Sequence, residues 1–132
     1  MDIRAEDIEG IPTGNLRVPR VTFAEVWRAA EQLGKTDEYA TGVTLMCRWI
    51  ACATVVFNGR PSPAFAPITR TRRRAHEELL EREFQAAERA SIRVQGTDDP
   101  RRLIIEGAAA TLRWAWKGNG DPPLSVGEAR AS

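Results

Sequence analysis

A chain of 132 residues has room for one domain around one core, and its net charge of +1 excludes a global field that would draw it onto nucleic acid or a membrane. Apolar residues make up 42 % and charged residues 28 %, an ordinary balance for a globule in water, so a polyanionic partner would have to be met by a local patch. The cations are 17 arginines against 2 lysines, a bias that high-G+C coding produces on its own, so an arginine by itself carries little weight.

The first 20 residues lack helical or strand periodicity and are broken by Gly10, Pro12, Gly14 and Pro19. With Asp2, Glu6, Asp7 and Glu9 among them, they predict a mobile acidic arm over 1–20 whose scattered Ile and Val side chains could dock on the domain or on a partner. Thr22-Phe23-Ala24-Glu25 then has the form of a capping box, with Val21 and Val26 placed for a hydrophobic staple. Phe23, Val26, Trp27, Ala30 and Leu33 form one stripe, and Gly34 closes the helix.

The longest apolar run, Thr36 to Phe57, predicts one central helix capped by Thr36 or Asp37 and stopped at Asn58-Gly59. Its length would suit a membrane span, but Arg48 near the middle would cost about 3 kcal/mol there, so a buried helix in a water-soluble protein is expected. Thr41, Thr44, Arg48 and Val55 form its least apolar stripe, read as an exposed edge or a polar contact between helices. Cys47 and Cys52 would lie about 140° apart around this helix and could not bridge each other. Free thiols fit a reducing compartment, and no charged-then-apolar leader opens the chain, so the expected location is cytoplasmic.

Residues 58–68 hold three prolines and read as a loop crossing the surface, held by Phe65 and Ile68. Residues 69–92 predict a third, amphipathic helix with Leu80, Phe84 and Ala87 inward, and residues 91–95 could extend it or form a short strand. Asp99 followed by Pro100 marks the start of a fourth helix, with Ile105, Ala108, Ala109, Leu112 and Trp116 on its core face. Gly107, Ala109 and Ala110 are small enough for another helix to come close. Gly118 ends the helix, and residues 119–132 predict a flexible tail.

One feature breaks a local rule. Arg70, Arg72, Arg73 and Arg74 would sit at a helix start, where positive charge opposes the dipole; Arg60 adds a fifth, and no acid falls between residues 59 and 76. Arg73–Glu77 and Arg74–Glu78 have i,i+4 spacing in the weaker order. The cluster reads either as a solvated face or as an anion site for phosphate or for an acidic protein surface. Four or five phosphate contacts would give a log–log salt slope of about −4, but a nucleic-acid track would also need Arg101, Arg102, Arg113 and Lys117 in line with the cluster. The long Pro-rich link before the basic helix argues against a helix-turn-helix.

Other chemistry lacks parts. His76 with Glu77, Glu78 and Glu81 is one histidine short of a zincin pair, and position 73 is Arg where a di-iron bundle needs Glu, so no metal is expected. The serines lie outside any G-x-S-x-G, there is no Gly-rich phosphate loop, and neither catalytic residues nor a cofactor are expected. Trp114 and Trp116 lie about 200° apart on a helix; Trp114 packs beneath a loop or tail, or stands exposed as a contact for a partner.

The expectation is an all-α fold, a single small bundle of about four main helices over residues 21–118, with an N-terminal arm and a C-terminal tail. The expected function is a non-enzymatic interaction module, an adaptor or accessory subunit that binds another protein or itself, with homodimerisation through the Trp114 face of the fourth helix. The alternative is a small nucleic-acid-binding regulator using Arg60 and Arg70 to Arg74. Neither a membrane nor a small-molecule substrate is expected.

Overall fold

The apolar run that opens at Asp37 begins as a buried helix, and two of the other three long helices pack directly against it. In the computed structural model, which describes residues 1–126, the elements are α1 (Ala5–Glu9), a 3-10 turn (Thr13–Asn15), α2 (Arg20–Leu33), α3 (Glu38–Ile50), β1 (Thr54–Phe57), β2 (Arg60–Pro63), α4 (Glu77–Val94) and α5 (Arg102–Ala115). Helix α3 packs against α2 and α5, and α5 packs against α4. Asp37 caps α3 as expected, its Oδ1 accepting from the Ala40 N–H at 3.2 Å. Val43, Met46, Trp49 and Ile50 are buried in one core with Phe23, Trp27, Leu80, Leu112 and Trp114.

The helical character holds, but the fold is not purely helical. The expected central helix stops at Ile50, and residues 54–63 form an antiparallel hairpin pairing Thr54 with Pro63 and Phe57 with Arg60. The β-branched run Thr54-Val55-Val56 favours extended backbone, and Asn58 and Gly59 take φ of 52° and 76°, the two positive values of a tight hairpin turn. Asn-Gly is therefore a strand connection here rather than a helix stop. Cys52, at φ 56°, turns the chain out of α3.

Other boundaries move for similar local reasons. Helix α2 begins at Arg20, and the Phe23 N–H donates to the Pro19 carbonyl at 3.0 Å, so Thr22 lies inside the helix and its capping box does not form. Val21 is 70 % exposed and makes no staple. Helix α4 starts at Glu77, eight residues later than expected, and runs through 91–94 to Val94. Arg70 has φ of 64°, which no helix accommodates, whereas Glu77 and Glu78 suit a helix N-terminus. Arg70 to Arg74 therefore precede the helix and do not occupy its first turn, and the expected ion pairs Arg73–Glu77 and Arg74–Glu78 do not form. Helix α5 begins two residues after Pro100, with Asp99 accepting from the Arg101 N–H at 2.8 Å.

The segment expected as a mobile arm lies against the domain. Ile3, Ile11 and Leu16 are buried in the main core, and Asn15 is 2 % exposed. Beyond α5, Leu124 and Val126 pack on the same core; the rest of the expected tail, residues 127–132, lies outside the described residues.

Candidate binding groove between the hairpin and the arginine segment

The segment that carries the arginines is irregular, yet its backbone is held at four points. Glu83 on α4 is fully buried, and its two carboxylate oxygens accept from the backbone N–H groups of Ile68 at 2.8 Å and Thr69 at 3.0 Å. Trp49 on α3 donates its indole N–H to the Arg73 carbonyl at 3.0 Å. Asn15 donates to the Ala75 carbonyl at 3.0 Å and to the Ile50 carbonyl at 2.9 Å, tying the segment to the end of α3. Within the segment, Ala66 N–H donates to Thr71 O at 2.8 Å and Arg70 N–H to Ala66 O at 3.0 Å. This tight turn places Arg70 in the left-handed region.

The hairpin stands over this segment, and a groove of about 560 Å³ opens between them, lined by Val55, Phe57, Ser62, Pro63, Phe65, Arg70 and Arg72. Phe57 meets Phe65 edge-on at 6.4 Å, and the Arg70 guanidinium lies 5.8 Å from the Phe65 ring centre. Val55 and Phe57 share one face of β1, and Arg60, paired with Phe57, projects on that same face at the hairpin tip. The groove thus combines an apolar floor with cations at its rim.

Arg60, Arg70, Arg72, Arg73 and Arg74 are all exposed, and among the described residues none lies within 4.0 Å of a carboxylate oxygen. The cations on α5 and just past its end behave differently. Arg102 pairs with Glu106 at 3.2 Å, Arg113 with Glu88, and Lys117 with Glu81 at 3.2 Å. Of the unpaired arginines, Arg70 and Arg72 line the groove itself.

The other residues singled out from the sequence lie elsewhere. Trp114 is 4 % exposed and stacks on Phe23 with ring centres 6.1 Å apart, so it is a core side chain and not a surface contact. Trp116, one position past α5, is also buried; its indole N–H donates to Glu81 at 3.1 Å and Arg17 lies over its ring. The two tryptophans both reach the interior because α5 is covered on more than one side. Its small face is taken by α3: a Cβ on Gly107 would collide with the Tyr39 carbonyl, and one on Gly42 with the Ile104 carbonyl. His76 is exposed at the N-cap of α4 without a side-chain capping bond. Among the described residues no three His, Cys, Asp or Glu side chains gather as a metal site would require, and no helix is long and apolar enough to cross a membrane. Burial pushes the Cys47 thiol far up from its ordinary value, with the Glu31 carboxylate adding to the effect.

Arginine density alone pointed to this region. Of the residues that hold it, Glu83 carried a signal that was missed, a charge at inward spacing between Leu80 and Ala87, whereas Asn15, between Gly14 and Leu16, reads only as loop. No protein-family model, no curated protein and no solved structure matches this chain.

Proposed function

We propose that this protein is a non-enzymatic binding module, an adaptor or accessory subunit that receives an acidic segment of another protein in the groove between the hairpin and the arginine segment. One observation carries the reading: Arg70 and Arg72, exposed and without carboxylate partners among the described residues, line an apolar groove beside a backbone held by Glu83, Trp49 and Asn15, with Arg60, Arg73 and Arg74 near them in the chain. Guanidinium groups on a held backbone bind carboxylates with little ordering cost, and Phe57 and Phe65 offer a seat for an apolar side chain between the acids.

Nucleic acid is the second reading, supported by the same arginines and by the exposed ring of Phe57, on which a base could stack. It is weakened because three of the four residues that would have extended a phosphate track, Arg102, Arg113 and Lys117, are paired with glutamates, although Arg101 is exposed and unpaired among the described residues. Self-association through the Trp114 face has lost its basis, since Trp114 is buried and the small-residue face of α5 is occupied by α3.

The test is titration of the chain with an acidic peptide carrying a central leucine and, separately, with a single-stranded thymidine oligonucleotide of equal charge, both over a range of salt. The peptide is expected to bind, and Arg70→Gln with Arg72→Gln to weaken it at least tenfold, since a hydrogen bond to a charged group contributes about 1.5–3 kcal/mol. Tighter oligonucleotide binding with a slope near −0.7 per contacted phosphate would transfer the site to the second reading. Binding of neither probe would remove both.

A further inference from the structure

The hairpin that roofs the groove has two outer edges, and they are chemically unlike. The Ala64 N–H donates to the Ala53 carbonyl at 2.9 Å, which fixes the alternation of the ladder: the pairs Val55–Ser62 and Phe57–Arg60 exchange hydrogen bonds, while Thr54–Pro63 and Val56–Pro61 do not. The backbone groups of Thr54 and Val56 therefore point away from β2, and those of residues 61 and 63 point away from β1. On the β2 side both outward positions are proline, so that edge has no N–H to offer. On the β1 side both outward N–H groups are present, and neither has a partner among the described residues. Thr54 is exposed and Val56 is 78 % exposed, so nothing among the described residues covers the edge. An uncovered edge strand is a template for another strand, and here one edge is closed by proline while the other is left open.

We infer that the β1 edge takes up the partner segment as a third strand, so that the ligand is an extended acidic peptide recognised through its backbone as well as its side chains. The inference rests on the reading of the groove as a site for an acidic protein segment and names how that segment binds. Residues of the added strand opposite Val55 and Phe57 fall on the groove face, where glutamate or aspartate meets Arg70, Arg72 and Arg60 and an apolar side chain meets Phe57 and Phe65. Charge selects this occupant. A second copy pairing edge to edge would bring two sets of unpaired arginines together, and a phosphodiester backbone has no N–H groups for the Thr54 and Val56 carbonyls.

The probe is a capped heptapeptide of alternating threonine and acidic-face residues, the latter being glutamate, leucine and glutamate. It is compared with two versions N-methylated on alternate amides, one at the threonines and one at the acidic-face residues. Strand addition makes every second amide donate to β1, so one methylated version is expected to lose binding at least tenfold and the other to keep it. The threonine set is lost for antiparallel addition, the acidic-face set for parallel addition. In the protein, Val56→Pro removes an outward N–H without touching the ladder to β2, and is expected to weaken the unmethylated peptide by a similar factor while the far-ultraviolet circular dichroism stays unchanged.

If the two methylated peptides respond alike, strand addition is overturned, whatever Val56→Pro does. If in that case Arg70→Gln with Arg72→Gln still weakens the unmethylated peptide, the groove reading survives alone. If the unmethylated peptide does not bind, both fall.

Discussion

Glu83 shows how one buried side chain can anchor the backbone at the start of the arginine segment. Its carboxylate accepts from Ile68 and Thr69 and has no cationic partner within 4.0 Å among the described residues, so two backbone N–H groups compensate its burial. Replacing it with leucine leaves those donors without an acceptor, and the expected loss of stability is about 2–4 kcal/mol by denaturant titration. Because the released backbone leads directly into Arg70, the same change is expected to weaken acidic-peptide binding even where the protein remains folded. A variant as stable as the parent would show that the carboxylate does not hold the segment. Spacing alone places this residue inward: Glu83 stands three residues after Leu80 and four before Ala87, within the stripe that Ala90 and Val94 continue, and only its charge made it read as solvent-facing. What the sequence does not contain is its partner, the backbone of Ile68 and Thr69. For Trp114 the sequence leaves burial and exposure open, because its covering partner, Phe23 from α2, is what periodicity does not contain.

Among the elements, a close helix approach on α5 was legible in advance, but neither its partner α3 nor the hairpin was. Gly107 with Ala109 and Ala110 signalled a close approach, and the structure makes it reciprocal, with Gly42 of α3 against Ile104 and Gly107 of α5 against Tyr39. Any side chain at either glycine must push backbone away from backbone, because the obstacle is a main-chain carbonyl and not a flexible side chain. Gly42→Ala and Gly107→Ala are each expected to cost about 3 kcal/mol or more, although alanine is the better helix former by about 1 kcal/mol. Thermal unfolding of the two variants checks this, and unchanged midpoints would mean that the helices do not approach so closely. The hairpin was hidden by an apolar run that continues without a break from α3 into β1. Hydrophobicity is equally high on both sides of Ala51, and only the β-branched residues and Asn58-Gly59 distinguish strand from helix there. The basic stretch was misplaced for a related reason: the amphipathic period of α4 extrapolates smoothly upstream, and nothing in composition shows that Arg70 turns left-handed.

At the scale of the whole molecule, Glu31 joins segments that are far apart in sequence. From α2 it accepts from Trp27 at 3.1 Å, from two nitrogens of Arg48 on α3 at 2.8 Å each, and from the amino group of Met1 at 3.1 Å. Burial pushes its carboxyl up, but the hydrogen bonds and charge of Arg48 and of the amino group outweigh that and hold it below the ordinary 4.5. Glu81 is lowered as well, by hydrogen bonds from Trp116, Gln85 and Lys117. For a carboxylate whose value is lower in the folded state, the unfolded chain binds more protons in the window between the two values. The stability it contributes is therefore complete above about 4.5 and is lost as pH falls through the folded value. Denaturation midpoints are thus expected to be flat on the alkaline side of about pH 5.5 and to drop steadily toward about pH 3. Glu31→Gln separates this residue from the other carboxylates: it keeps the shape but removes the charge facing Arg48. It is expected to be less stable near neutrality and to lose less on acidification, so that the two curves converge at low pH. Parallel curves for parent and variant would mean that the proton taken up on acid unfolding goes elsewhere, and that the joint between α2, α3 and the start of the chain does not depend on the charge of Glu31.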